Sequence, residues 1–67
     1  MFSSYNDILT VHEVAEILMI GRNHVYSLLR SGELLGFRVG KNTWRIPKKN
    51  LEVYILQKCR RRYAGND

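Results

Sequence analysis

A chain of 67 residues with one cysteine makes one small domain without an internal disulfide, and it leaves no room for a second domain, a large cofactor pocket or a lid over an active site. Most enzyme classes are disfavoured on that ground alone. Eleven Lys and Arg stand against six Asp and Glu, a net charge of +5, and the spread is lopsided: residues 1–36 carry two cations and four anions, residues 37–67 nine and two. Clustered cations on a small basic domain are the footprint of a polyanion partner, usually nucleic acid.

The composition is globular, with 45% hydrophobic residues and one Pro, so the basic half is not read as a disordered tail. Such a domain buries roughly 60% of the surface its unfolded chain exposes and folds with little margin. The first seven residues, Met-Phe-Ser-Ser-Tyr-Asn-Asp, have neither a basic nor an apolar stretch, so no secretory signal is expected. The longest apolar runs, Ile17 to Ile20 and Val53 to Leu56, fall far short of the ~20 residues that span a bilayer. The expected compartment is the cytoplasm, with association to the nucleoid.

Residues 1–9 read as a flexible N-terminus. Thr10 followed by Glu13 is a capping box, in which each side chain satisfies the other residue's backbone N–H. It opens a first helix over 11–18, whose apolar stripe is Val11, Val14, Ala15 and Leu18, with His12, Glu13 and Glu16 pointing away. Gly21 breaks the pattern, supplying a positive φ or a helix N-cap. A second helix over 22–30 buries Val25, Leu28 and Leu29 and ends at Gly32. Asn23, Ser27 and Arg30 lie opposite the buried stripe, Arg22 and Tyr26 on one flank, His24 and Ser31 on the other.

Phe37-Arg38-Val39 and Thr43-Trp44-Arg45-Ile46 alternate around Gly40-Lys41-Asn42, which predicts a β-hairpin. The alternation is expected to turn Val39, Trp44 and Ile46 toward the core or its edge and Arg38 and Arg45 toward solvent or a ligand. Pro47 ends the second strand. A third helix follows from Lys48, with Leu51, Tyr54 and Ile55 as its stripe and Val53 and Leu56 on the shoulders. The order helix, helix, hairpin, helix makes an α+β, mostly α fold: a small winged helix-turn-helix with the hairpin as wing. The domain is expected over 10–58, with 59–67 as a basic C-terminal tail.

The stretches LTVHEVAEIL, IGRNHVYSLLRSGEL and FRVGKNTWRIPKKNLEVYI together resemble the excisionase-type family of small DNA-binding domains, which are related in fold to the DNA-binding domains of the MerR regulators. The resemblance covers residues 8–56. Two departures stand out: Gly21 replaces the family's usual Ser, removing a side-chain N-cap, and where a Pro commonly follows the Leu of Gly-Glu-Leu this chain has Leu35-Gly36, which is expected to loosen that connection. The resemblance implies double-stranded DNA binding, often beside a site-specific recombinase on a mobile element, and it is also compatible with a small transcriptional regulator.

A major groove admits one helix, whose N-terminal and outward residues reach base edges. The candidate recognition residues are Arg22, Asn23, His24, Tyr26, Ser27 and Arg30. Asn23 suits adenine N6 and N7, and Arg22 or Arg30 suits guanine O6 and N7 or a phosphate. A merely solvated helix face is the rival reading, but such faces usually mix Lys with Glu, and no acid lies between Arg22 and Ser31. The wing offers Arg38, Lys41, Asn42, Thr43 and Arg45 for the minor groove or phosphates. Gly40 and Asn42 also serve the turn, which needs no cations.

Trp44 reads as an anchor of hairpin to helices, and Tyr54 as core. Tyr26 suits packing beside the first helix or a phosphate contact through its hydroxyl. Arg60, Arg61 and Arg62 suit a solvated helix end, a phosphate clamp or a partner-docking site. His12 and His24 are isolated, so no metal site is expected; no cofactor and no catalytic group is expected either.

Three functions follow. The first is an excisionase: a non-enzymatic accessory protein that binds and bends attachment-site DNA so that a recombinase (integrase) excises a mobile element, acting as a monomer or with weak cooperativity on tandem sites. The second is a small regulator on a promoter. The third is a protein-docking module.

Overall fold

The computed structural model describes residues 6–41 and 43–65, with side chains described through Arg60. The elements in chain order are β1 (Ile8–Thr10), α1 (Val11–Leu18), α2 (Arg22–Ser31), β2 (Phe37–Val39), β3 (Thr43–Pro47) and α3 (Lys48–Gly65). The three helices and a small antiparallel sheet are the α+β winged helix-turn-helix that the sequence predicts.

Of the segment 1–9 read as a flexible start, residues 1–5 lie outside the described residues and the part that reaches Leu9 is a correction. Ile8 and Leu9 belong to β1, which pairs antiparallel with β3, so the sheet has three strands in the order β1-β3-β2. Leu9 lies opposite Ile46, and both are wholly inaccessible. A three-residue strand has no room for visible alternation, and its stability comes from the partner strand and the core beneath it. Lys48 N–H donates to the Asp7 carbonyl at 2.7 Å, which continues the tie between the two segments.

Thr10 ends β1 and caps α1. Its Oγ1 accepts from Glu13 N–H at 3.1 Å, and its own N–H donates to Glu13 Oε1 at 2.9 Å, closing the expected capping box. The positive φ in the turn to α2 falls on Met19, at φ 58° and ψ 45°, and Gly21 is the extended N-cap of α2. A left-handed methionine costs about 1 kcal/mol or more. Part of that cost is offset by two caps, since Met19 N–H and Ile20 N–H both reach the carbonyl of Ala15. At the far end of α2, Gly32 takes the left-handed cap and Leu34 N–H returns to the Leu28 carbonyl at 3.2 Å. That fold-back drives Leu34 into the core, a residue the helical periodicity did not reach.

The core among the described residues is aliphatic: Leu9, Val11, Val14, Ala15, Val25, Leu28, Leu29, Leu34, Ile46 and Leu51. Leu18, Tyr26, Trp44, Tyr54 and Ile55 pack partly buried against it. The connection expected to be loose is tied down. Asn50 Nδ2 donates to the Leu35 carbonyl at 3.0 Å, and a Cβ on Gly36 would stand 2.9 Å from the Arg45 carbonyl and 3.0 Å from Leu29 Cδ2. Gly36 is there because β3 leaves space for nothing larger.

The hairpin register corrects one facing, that of Val39. Arg38 lies opposite Trp44, and Val39 opposite Thr43. Directly paired residues share a face, so Arg38 and Trp44 join Leu9 and Ile46 on the inner face. Val39 lies with Phe37, Thr43 and Arg45 on the outer face and is 52% exposed. In the segment expected as a basic tail, α3 continues beyond 58 as far as Gly65. Lys58 Nζ meets Glu33 Oε1 at 2.7 Å, while Cys59 and Arg60 are exposed.

Leu9→Ala is expected to destabilise the fold by about 2–5 kcal/mol, the usual range for a Leu deleted from a filled core. For a domain of this size that is most of the total stability. Thermal unfolding followed by circular dichroism checks it; a drop of only a degree or two would mean that β1 is not part of the cooperative unit.

Candidate nucleic-acid interface

α2 turns one side to the core and the other to solvent. Val25, Leu28 and Leu29 are buried, and Arg22, Asn23, His24, Ser27 and Arg30 are exposed. Tyr26 is half-buried, its ring packed against the core. Gly21 leaves the first turn of α2 without a side-chain cap, as the departure from the family pattern implies. The backbone N–H groups of His24 and Val25 turn back to the Gly21 carbonyl at 3.1 and 3.3 Å.

The wing tip holds Gly40 at φ 75°, a conformation that L side chains rarely adopt, and an exposed Lys41. Asn42 lies outside the described residues. Thr43 is exposed beside the tip. Arg38 is held on two sides: its guanidinium carbon stands 5.5 Å from the centroid of the Trp44 ring, and its Nη1 donates to the Lys41 carbonyl at 3.3 Å. Arg45 points to the other face of the sheet and donates to the Trp44 carbonyl at 3.0 Å. The wing cations are thus split, with Arg38 inward toward α2, Lys41 at the tip and Arg45 outward.

The inward pair creates a feature the sequence did not reveal. A cleft of about 440 Å³ opens between α2 and the hairpin, lined among the described residues by Tyr26, Arg30, Arg38 and Trp44. Arg30 is seven residues from the start of its helix row at Asn23, whereas Arg38 is a strand residue. Only the hairpin register puts the two in one cavity. Trp44 anchors the hairpin as expected, and it also supports the Arg38 guanidinium.

Arg22, Arg30, Arg38 and Arg45 have no carboxylate within salt-bridge distance among the described residues; the ion pairs there are Lys48 with Asp7 and Lys58 with Glu33. Among the described residues, these four arginines therefore form no ion pair. Arg60 is exposed on α3, and the side chains of Arg61 and Arg62 lie outside the described residues. His12 and His24 are exposed on different helices, and no group of three metal-ligating side chains forms among the described residues. None of the described helices is long and apolar enough to cross a membrane.

Two short helices at a tight turn, a wing and arginines without ion pairs among the described residues define a DNA-binding helix-turn-helix protein. The model of the helix-turn-helix domain family matches residues 8–59, and the chain belongs to that family, which includes excisionase-like small DNA-binding proteins. No curated protein and no solved structure matches the chain.

The uncapped start of α2 is testable. A Cβ on Gly21 meets nothing within 4 Å, and the backbone there is extended, at φ −73° and ψ 156°. Gly21→Ser adds a hydroxyl acceptor and removes glycine's freedom in the unfolded chain. The expected gain is about 0.5–1 kcal/mol, which raises Tm by several degrees in a domain this small. An unchanged or lower Tm would contradict the capping argument.

Proposed function

We propose that this protein is a sequence-specific double-stranded DNA-binding accessory factor of the excisionase kind. It binds attachment-site DNA of a mobile element, bends it, and helps a site-specific recombinase assemble for excision. It makes and breaks no bonds itself, needs no cofactor, and works in the cytoplasm on nucleoid DNA. It binds as a monomer or with weak cooperativity on tandem sites. The observation that carries the DNA reading is the surface shared by α2 and the wing, where Arg22, Arg30 and Arg38 have no carboxylate partner among the described residues and α2 carries no acid at all. The excisionase role rests on the resemblance of the three sequence stretches to that family.

In this reading α2 lies in a major groove. Asn23 spans adenine N6 and N7, Arg22 takes a guanine edge or a phosphate, and His24, Ser27 and Tyr26 flank them. Lys41 and Thr43 at the wing tip, with Asn42, reach the adjacent minor groove or its phosphates. Arg45, on the outer face of the sheet, serves the backbone on the far side of the wing. Arg60, Arg61 and Arg62 are assigned to contacts with DNA or the recombinase.

The two kinds of contact have different signatures. Asn23→Ala is expected to cost about 1–3 kcal/mol on the preferred site alone and to relax preference at one base position. Lys41→Ala is expected to weaken all duplexes alike and to flatten the dependence of log K on log salt by about one. Fluorescence anisotropy with matched and mismatched duplexes over a salt series measures both. If Asn23→Ala leaves affinity and preference unchanged, α2 does not read bases through Asn23.

A DNase I footprint on DNA spanning the protein's gene and the ends of its element separates the roles. Several short protected sites at the ends, with hypersensitive bends between them, are the expected result. A single protected promoter site would make the protein a regulator. A bare footprint with retardation only at low salt would assign its specificity to a protein partner.

A further inference from the structure

We propose that the cleft between α2 and the wing is a seat for one phosphate group, and that Arg30 and Arg38 grip that phosphate together. The inference rests on the DNA-binding reading and deepens it by assigning a single shared ligand to residues of two separate elements. The cleft is lined by Arg30, Arg38, Tyr26 and Trp44, with no acid among the described lining residues. Two cationic side chains that line one cavity repel each other, and an anion between them removes that repulsion while accepting from both. A phosphate oxygen suits this better than a base edge, since guanidinium forks match its geometry and the Tyr26 hydroxyl adds a further donor.

Arg38 is prepared for the role before any ligand arrives. The Trp44 ring covers one side of its guanidinium, and the Lys41 carbonyl takes one of its five N–H donors. The remaining donors are free for the cleft. Holding a long side chain in place lowers the ordering cost that binding must otherwise meet. The Lys41 carbonyl belongs to the wing tip, so a phosphate drawn to Arg38 also steadies the tip. The seat therefore fixes the angle between α2 and the wing on the duplex. The same chemistry would accept a free phosphate ion, but an open cleft on the proposed DNA-facing side, between the two elements that flank a backbone, points to the phosphodiester.

The test is a charge-removal cycle read through salt dependence. Wild type, Arg30→Gln, Arg38→Gln and the double variant are titrated with one duplex over a salt series. Glutamine keeps the packing of each stem, and melting curves confirm the fold; Arg38→Lys, which keeps the charge but loses the fork, is run as a second variant. If one phosphate is shared, either single change leaves it neutralised by the other arginine. Each single variant then keeps nearly the wild-type slope with an affinity loss of several-fold, and the double variant loses about one unit of slope. Arg38→Lys keeps the slope and loses affinity. If each arginine holds its own phosphate, each single variant loses about one and the double about two, and the shared seat is wrong. An unchanged slope in the double variant would also overturn it, because the cleft would then face away from the duplex.

Trp44, the one tryptophan of the chain, reports on the source. Its emission is expected to change with duplex DNA and not with an equal concentration of inorganic phosphate at matched ionic strength. An equal change with inorganic phosphate would make the cleft a small-anion site and overturn the assignment to a DNA phosphodiester. If the wild type shows no salt-dependent duplex binding, the DNA-binding reading itself fails, an outcome distinct from a wild type that binds while the double variant keeps its slope.

Discussion

The pairing of Leu9 with Ile46 across β1 and β3 is the contact on which the other parts of the molecule depend. β3 is the central strand, and it supports structure on both edges and on its inner face. On one edge it holds β1, which runs directly into the Thr10 capping box and so aims α1. On the other it holds β2 and therefore the wing. Its inner face supplies Ile46 to the aliphatic core beneath the helices. In so small a domain no second core exists to take over if this one is disturbed. The position of the wing relative to α2, which the DNA reading needs, is thus set by the same strand that closes the core.

Much of this was legible because it is local. The capping box of Thr10 and Glu13, the stripe Val25, Leu28 and Leu29, the turn at Gly40 and the stop at Pro47 each follow from side-chain chemistry within a few residues. What was not legible depends on partners distant in sequence. β1 is too short to show a period and exists because Ile46 lies opposite Leu9. The buried Leu34 follows from a fold-back after Gly32 that no periodicity records. Val39 lies on the outer face rather than at the core or its edge because facing in a hairpin is decided by register, and register is not fixed by alternation alone. The length of α3 is not legible either, since nothing in Arg60-Arg61-Arg62 stops a helix.

The candidate interface divides in the same way. The exposed row of α2 could be read directly, since helical spacing separates Asn23, Ser27 and Arg30 from the buried stripe. The cleft could not, because it needs Arg38 on the inner face beside Trp44. Its composition follows from a general property of small sheets. The inner face is apolar where helices cover it, at Leu9 and Ile46, and changes character beyond their cover. There Trp44 offers an apolar body to the core and a π face to a cation. A structural residue and a binding residue are thereby coupled through one ring, which links the stability of the hairpin to the charge it presents.

In the proposed function, α2 and the wing form one DNA-facing surface on a common core. Amide chemical shifts of the isotope-labelled protein, followed as a duplex is added, test it residue by residue. The account predicts perturbations concentrated in 22–31 and in 37–45, with the buried amides around Leu9 and Ile46 little changed. Perturbations confined to the outer side of α1 or to α3, with α2 and the wing silent, would contradict it.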